Sequence, residues 1–286
     1  MLIDAHLHLW DPAQLRYDWL SHVPVINRPF LPAHLKALDI PLAQAVFVQC
    51  DCDPAQAMAE VDWVAGLAGQ VPVGAIVAYA PLEKGAGVRP VLEALTTRPL
   101  VRGVRRSVQN EPLAFVTDRD HLDGMVHAAR AGLSLDLCAR APQLPALAQA
   151  LEHLFAAVPE ATVILDHLGK PDIASHGGDI HGDGWAASLA RLARFPNLNC
   201  KLSGLATQAS WDGWQVDDLR PYLDHALACF GPDRCLFGGD WPVIDLAGGY
   251  PRWLRAFEQV TASLPDAERA AIRHSTARRV YGLGAG

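Results

Sequence analysis

The chain has no apolar run close to the roughly 18 residues a membrane-spanning helix requires. It also has no lysine- and arginine-rich run of the kind that grips phosphates, and 24 Lys+Arg against 31 Asp+Glu leave a net charge of -7. A membrane span and a nucleic-acid surface are therefore not expected. The first residues lack the charged, then apolar, then small-residue order of a secretory signal, so a cytoplasmic location is expected. Six cysteines include no CxxC pair, which argues against a disulfide framework and a zinc ribbon. Cys50-Asp51-Cys52 is the only close pair, at a strand-to-loop junction where a soft-metal site is an open reading; the other four read as small buried hydrophobes. There is no internal repeat and no low-complexity linker.

What is present is enough apolar residue, 50% of 286, to bury a large core. Short β-branched runs alternate with segments of helical period, the rhythm of βα units and a parallel sheet. Strands are expected over 2–9, 44–49, 73–79, 101–105, 134–138, 162–166, 198–202 and 235–237. Helices are expected over 55–67, 88–95, 119–131, 144–157, 185–195, 216–230, 250–264 and 267–281. Eight strands and their helices predict a single (β/α)8 TIM barrel, one domain over 1–286. The proline-rich connection from Trp10 to Ala43 is too long to be slack and reads as a functional loop.

Leu2-Ile3-Asp4-Ala5-His6-Leu7-His8-Leu9 carries the strongest local signal. Strict alternation predicts Asp4, His6 and His8 on one strand face, so two imidazoles could converge on a metal or a substrate oxygen. A pair of hydrogen-bonded core histidines is the alternative. In such a barrel chemistry sits at the C-terminal ends of the strands. Those ends read His6-Leu7-His8, Arg105-Arg106, Asp166-His167-Leu168-Gly169-Lys170, Lys201-Leu202-Ser203-Gly204 and Gly238-Gly239-Asp240-Trp241-Pro242. Three imidazoles and a carboxylate are what a hydrolytic metal site, or its metal-free counterpart, needs.

These segments, together with Ile3 to Pro12, Arg102 to Arg105, Leu165 to Pro171, Cys200 to Gly204 and Phe237 to Val243, resemble the amidohydrolase superfamily. The likeness is to its amidohydrolase-2 type, in the branch of lactonases acting on sugar acids. The resemblance implies hydrolysis of the ring ester of an aldono- or aldarolactone to the open-chain acid. It implies Asp240 as general base, with His6, His8 and His167 holding a metal or polarising the lactone carbonyl. The family's metal-dependent members carry a further histidine ligand on the fifth strand, where this chain has Ser134-Leu135-Asp136-Leu137-Cys138. The expectation is one weakly bound divalent ion, zinc or manganese, on His6, His8 and Asp240, or none required.

Arg105 is expected to offer its guanidinium fork to the substrate, with only one of Arg105 and Arg106 entering the barrel. Lys201 either steadies a developing oxyanion or pairs with Asp136. Gln49, Tyr79, Trp241 and His121 are further candidates for the pocket wall, and Trp10, with Trp19 and Tyr17, for its roof. The remaining histidines read as helix or loop residues. The expected partner is a small sugar lactone, and a homo-oligomer stays open. A metal-dependent decarboxylase or C–C or amide hydrolase, and a non-catalytic ligand-binding barrel, are the alternative functions.

Overall fold

The computed structural model describes residues 1–284, so the last two positions of the expected 1–286 unit lie outside the described residues. Eight parallel strands run in chain order around a barrel: β1 Leu2–Leu7, β2 Leu42–Val48, β3 Val73–Tyr79, β4 Val101–Arg105, β5 Ser134–Leu137, β6 Val163–Leu165, β7 Leu198–Leu202 and β8 Cys235–Phe237. Helices follow β2 to β8 in turn: α1 Ala57–Leu67, α2 Arg89–Thr96, α3 Arg119–Arg130, α4 Leu144–Ala157, α5 Trp185–Leu192, α6 Val216–Phe230 and α7 Tyr250–Thr261. A last short helix, α8 Thr276–Tyr281, ends the described chain. The fold is the expected (β/α)8 barrel. Where one continuous helix is expected over 267–281, there is a turn at Asp266–Ala270, a π-turn at Ala271–Ser275 and then α8.

Fully buried strands explain the near-continuous apolar runs, since each strand faces helices outside and the barrel interior inside. One interior cluster holds Ile3, Ala5, Val46, Val48, Ala75, Val77, Ile164 and Leu236, with Val280 and Tyr281 from α8 packed against it. The barrel closes where strands 1 and 8 meet: His8 donates its amide to Trp241 O (2.8 Å) and Asp240 donates its amide to His6 O (2.8 Å). The long connection folds back on the barrel through an antiparallel bridge between Trp10 and Phe30.

Strand β1 departs from the alternation the sequence predicts. Its pairing with β2 slips between Asp4 and Leu7: Asp4 pairs with Ala45 and Leu7 with Phe47, so β1 carries one residue more than its partner. Such a bulge puts consecutive residues on the same side and re-aims a side chain. Ile3 and Ala5 join the interior cluster, and His6 then also turns inward, while Asp4 leaves the histidine face. Asp4 instead accepts the amides of His6 (2.8 Å) and Gly239 (2.8 Å) and the hydroxyl of Tyr250 (2.9 Å). Its carboxylate ties the bulge to the segment after β8. Burial without a cation raises its pKa to about 7, against the lowering effect of these donors.

Candidate active site

At the C-terminal end of the strands lies a cavity of ≈ 170 Å³ whose wall includes His8, Arg105, His167 and Asp240. The bulged β1 supplies the first two imidazoles. His6 Nε2 and His8 Nε2 are 3.2 Å apart, and Asp240 Oδ1 lies 3.8 and 3.5 Å from them. His8 Nδ1 is 2.7 Å from Val48 O. A carbonyl only accepts, so Nδ1 carries the ring proton and the Nε2 of neutral His8 presents a lone pair to the cavity. Polarising a carbonyl by donation from His8 therefore requires the imidazolium.

His167 and Asp240 both adopt left-handed backbone, φ 50° and 55°, as non-glycine residues. Strain of this sort clusters at functional sites, where the surroundings over-determine it. Here the surroundings include Gly204, at φ 61°: a Cβ there would meet Asp240 Oδ2 and would lie 2.7 Å from His167 Nδ1. Only glycine lets the segment after β7 pass so close to both side chains. Ser203, the residue before it, bonds His167 Nδ1 at 2.9 Å and so fixes the ring.

Burial pushes the His167 pKa down to about 4, so the ring is neutral near pH 7. Burial and the neighbouring Lys201 charge likewise hold His6 well below the ordinary histidine value. Asp240 moves the other way from a simple buried acid. Burial raises its pKa, but the surrounding imidazoles of His167, His8 and His6 outweigh this and hold the carboxyl below the usual carboxylate range. Near pH 7 the cavity therefore presents an ionised Asp240 carboxylate beside the neutral imidazoles of His6 and His167.

Beneath the cavity sits a second, sealed layer of charge. Lys201 has no exposed surface; it bonds Asp136 and lies 3.0 Å from Asp166 Oδ1 and 3.2 Å from His6 Nδ1. Tyr281 of α8 donates to the same Asp136 (2.8 Å). Arg105 donates to Asp166 Oδ2 (3.1 Å) and to the carbonyl of Gln49 (2.6 Å). Although burial raises the Asp166 carboxyl, Lys201, His6 and Arg105 together hold it well below the usual range.

Of the residues singled out from sequence, His8, Arg105, His167, Asp240, Trp10 and Trp19 line the cavity, and His6 touches the first four from just below. Lys201 does not reach the wall, so the oxyanion reading gives way to pairing with Asp136. Gln49, Tyr79, His121 and Trp241 do not line it either. Gln49 clamps Asp51 (side-chain amide to Oδ1, 2.9 Å), and His121 bonds Val116 O (3.2 Å). Arg105 enters the barrel, while Arg106 stays at the rim, paired with Glu83 (2.9 Å) and Glu111 (2.6 Å). Asp51, Gln109, Asn110, Lys170 and Thr207 complete the polar wall; Lys170 belongs to the strand-end segment quoted from the sequence and Asp51 to the Cys50-Asp51-Cys52 junction, while Gln109, Asn110 and Thr207 carried no signal beyond their place after β4 and β7.

The spacing of the donor set suits a metal ion. Metal–ligand bonds of about 2.0–2.2 Å at tetrahedral angles place ligand atoms roughly 3.3–3.6 Å apart. His6 Nε2, His8 Nε2 and Asp240 Oδ1, at 3.2, 3.5 and 3.8 Å, match one face of such a shell. His6, His167 and Asp240 form a looser group within 4.8 Å. Asp166 Oδ1 is buried with no hydrogen bond aligned on it, 3.3 Å from His6 Nδ1. It is the acceptor a His6 ring needs if Nε2 is to be a ligand.

The amidohydrolase family profile matches residues 3–283. The chain belongs to the amidohydrolase family. This amidohydrolase is 34% identical to the L-fucono-1,5-lactonase of Burkholderia multivorans over 98% of this chain and 96% of that protein. It is 24% identical to the L-rhamnono-gamma-lactonase of Scheffersomyces stipitis over 99% and 98% of the two chains. Among solved structures, an amidohydrolase from Burkholderia multivorans with bound zinc superposes with a TM-score of 0.85 at 32% identity, over 99% of this chain and all of that one (100%). No helix among the described residues is long and apolar enough to cross a membrane.

Proposed function

We propose that this amidohydrolase is a lactonase that opens the ring ester of a sugar-acid lactone, the whole chain acting as one domain. The observation that carries the reading is the ionised Asp240 carboxylate, set into the wall of the cavity between the imidazoles of His6, His8 and His167. The curated relatives named as lactonases over nearly the full chain support the reaction class.

Water is a poor nucleophile toward an ester near pH 7, and a positioned carboxylate typically contributes about 10²- to 10⁴-fold by taking its proton. Asp240 takes that proton as the water oxygen bonds to the lactone carbonyl carbon. The tetrahedral oxyanion collapses, the ring C–O bond breaks, and Asp240 returns the proton to the leaving alkoxide, giving a hydroxyl and a carboxylic acid that ionises and releases its proton to solvent. Arg105 is held rigid by Asp166 and Gln49 O, so its charge faces the developing oxyanion without reorganising. Ser203 holds the His167 ring beside Asp240, which leaves the second ring nitrogen to bond the substrate or the water.

A divalent ion would be held by His6, His8 and Asp240, and when bound it would polarise the carbonyl and acidify the water. Arg105 NH1 at 3.4 Å from His6 Nε2 and Lys201 at 3.2 Å from His6 Nδ1 set two positive charges against it. Such an ion would accordingly be weakly held.

Proton release from L-fucono-, L-rhamnono-, D-galactono- and D-galactarolactones, with and without chelator, tests the reading. Hydrolysis of at least one lactone well above its spontaneous rate is expected, with partial loss in chelator that zinc or manganese restores. Spontaneous rates throughout, with added metal, would refute it.

A further inference from the structure

Beside the catalytic cavity lies a second groove of ≈ 280 Å³, and Trp19, Asp51 and Asn110 line both. We infer that this groove is a subsite for an uncharged glycosyl unit carried by the lactone, which makes the chain's substrate class a glycosylated sugar lactone. The inference rests on the lactonase reading of the inner cavity.

Size is the first argument. Sites for small molecules usually enclose about 300 Å³ or more, and the inner cavity alone, at ≈ 170 Å³, falls short. The groove shares three lining residues with it and is larger, at ≈ 280 Å³. A lactone ring on Asp240 would therefore have its outward substituent at the Trp19–Asp51–Asn110 wall, with room for a further ring beyond.

Charge is the second. The groove's two cations are neutralised: Arg16 by Asp18 (3.2 Å) and Asp53 (2.7 Å), and Arg106 by Glu83 and Glu111. Among the described residues, no unpaired cation lines the groove to hold a second carboxylate there. Asp51 has no ion-pair partner among the described residues and adds a negative charge at the junction, which disfavours an acidic substituent. Its Oδ2 accepts no hydrogen bond from the described residues, and hydroxyl donors suit it. Gln49 fixes it, accepting the Asp51 amide (2.5 Å) and donating to Oδ1 (2.9 Å), in a left-handed conformation at φ 51°.

The third is the platform. The Trp19 indole donates to Cys50 O (2.8 Å) and packs edge-on against Trp10, with ring centroids 5.4 Å apart. A half-buried indole locked in place, flanked by the Asn110 amide and the Ser107 hydroxyl, matches the apolar face and hydroxyl rim of a sugar ring.

The test compares matched pairs: gluconolactone with cellobionolactone, lactobionolactone and maltobionolactone, for the wild type and for Ser107→Tyr, which fills the groove away from the inner cavity. At least one glycosylated lactone should exceed its parent in kcat/KM by about tenfold or more, and Ser107→Tyr should reverse that ratio. The corresponding aldobionic acid should also quench tryptophan fluorescence at concentrations about tenfold lower than gluconate does, an advantage that Ser107→Tyr removes. Parent lactone turned over as well as every glycosylated form, or a ratio untouched by Ser107→Tyr, overturns the subsite and leaves the lactonase reading standing. Tighter aldobionate binding with no hydrolysis of any lactone overturns the lactonase reading and keeps the subsite. Neither binding nor hydrolysis overturns both.

Discussion

Two sets of charged side chains lie one above the other in the mouth of this barrel, built from the same residue types. In the lower set, Lys201, Asp136 and Asp166 have at most 1% of their surface exposed, and each charge meets an opposite one. In the upper set, Asp240 faces a cavity and is balanced only by imidazoles, while Asp51 and Lys170 reach the same cavity with no ion pair among the described residues. Position relative to the cavity floor separates scaffold from chemistry here. A lysine on a strand end below the floor holds the barrel together; a carboxylate one residue past the floor is free to move a proton.

The sharpest way to break that comparison is to neutralise one member of each set. Asp240→Asn should lower lactone turnover by about 10²- to 10⁴-fold, with the denaturation midpoint close to wild type, as read by proton release and by chemical unfolding. Should Asp240→Asn retain activity within a few-fold, Asp240 is not the base. Lys201→Met should do the reverse in stability, costing about 3–5 kcal/mol because Asp136 and Asp166 lose their shared buried cation. An unfolding free energy within 1 kcal/mol of wild type, about the error of such a comparison, would show that the sealed layer is not held by that charge.

The smallest effect concerns a sealed carboxylate with no ion-pair partner among the described residues. Glu60 of α1 accepts the Cys50 amide (3.2 Å), and burial raises its pKa from 4.5 to about 8. The folded protein therefore holds a proton that the unfolded chain has released, so the contribution is complete below pH 4.5 and is lost as the pH rises through 8. Wild type should lose stability over that window, and Glu60→Gln should flatten the slope, as followed by thermal unfolding across pH. Parallel curves would place the titration elsewhere. Asp166, whose carboxyl is held low by its cations, works in the opposite direction, its contribution fading only in acid.

Much of this was legible in the sequence because barrel strands and helices carry strong periods, and because the residues at strand ends converge by topology alone. The His6–His8 pair, His167 and Asp240 come from three distant parts of the chain, yet their strands are neighbours in the barrel or lie across its mouth. The bulge in β1 was not legible: Asp4, His6 and His8 alternate perfectly, and only the slipped pairing with β2 reveals that Asp4 faces Tyr250 instead. Depth was also hidden. Lys201 and Arg105 both end strands and both point inward, but Lys201 stops beneath the floor and Arg105 reaches the cavity. Gln109, Asn110 and Thr207 sit in loops, where no period tells a wall residue from a solvated one.

The seam between β1 and the segment after β8 gives activity a second meaning. His8 and Trp241 share a hydrogen bond across it, as do Asp240 and His6, so the proposed base and its imidazoles meet only when residues more than 230 positions apart have joined. Contacts so distant in sequence form late in folding. Turnover is thus a readout of completed closure: an emerging chain is inert until its eighth strand docks, and any lesion that opens the seam silences the enzyme before the rest of the barrel unravels.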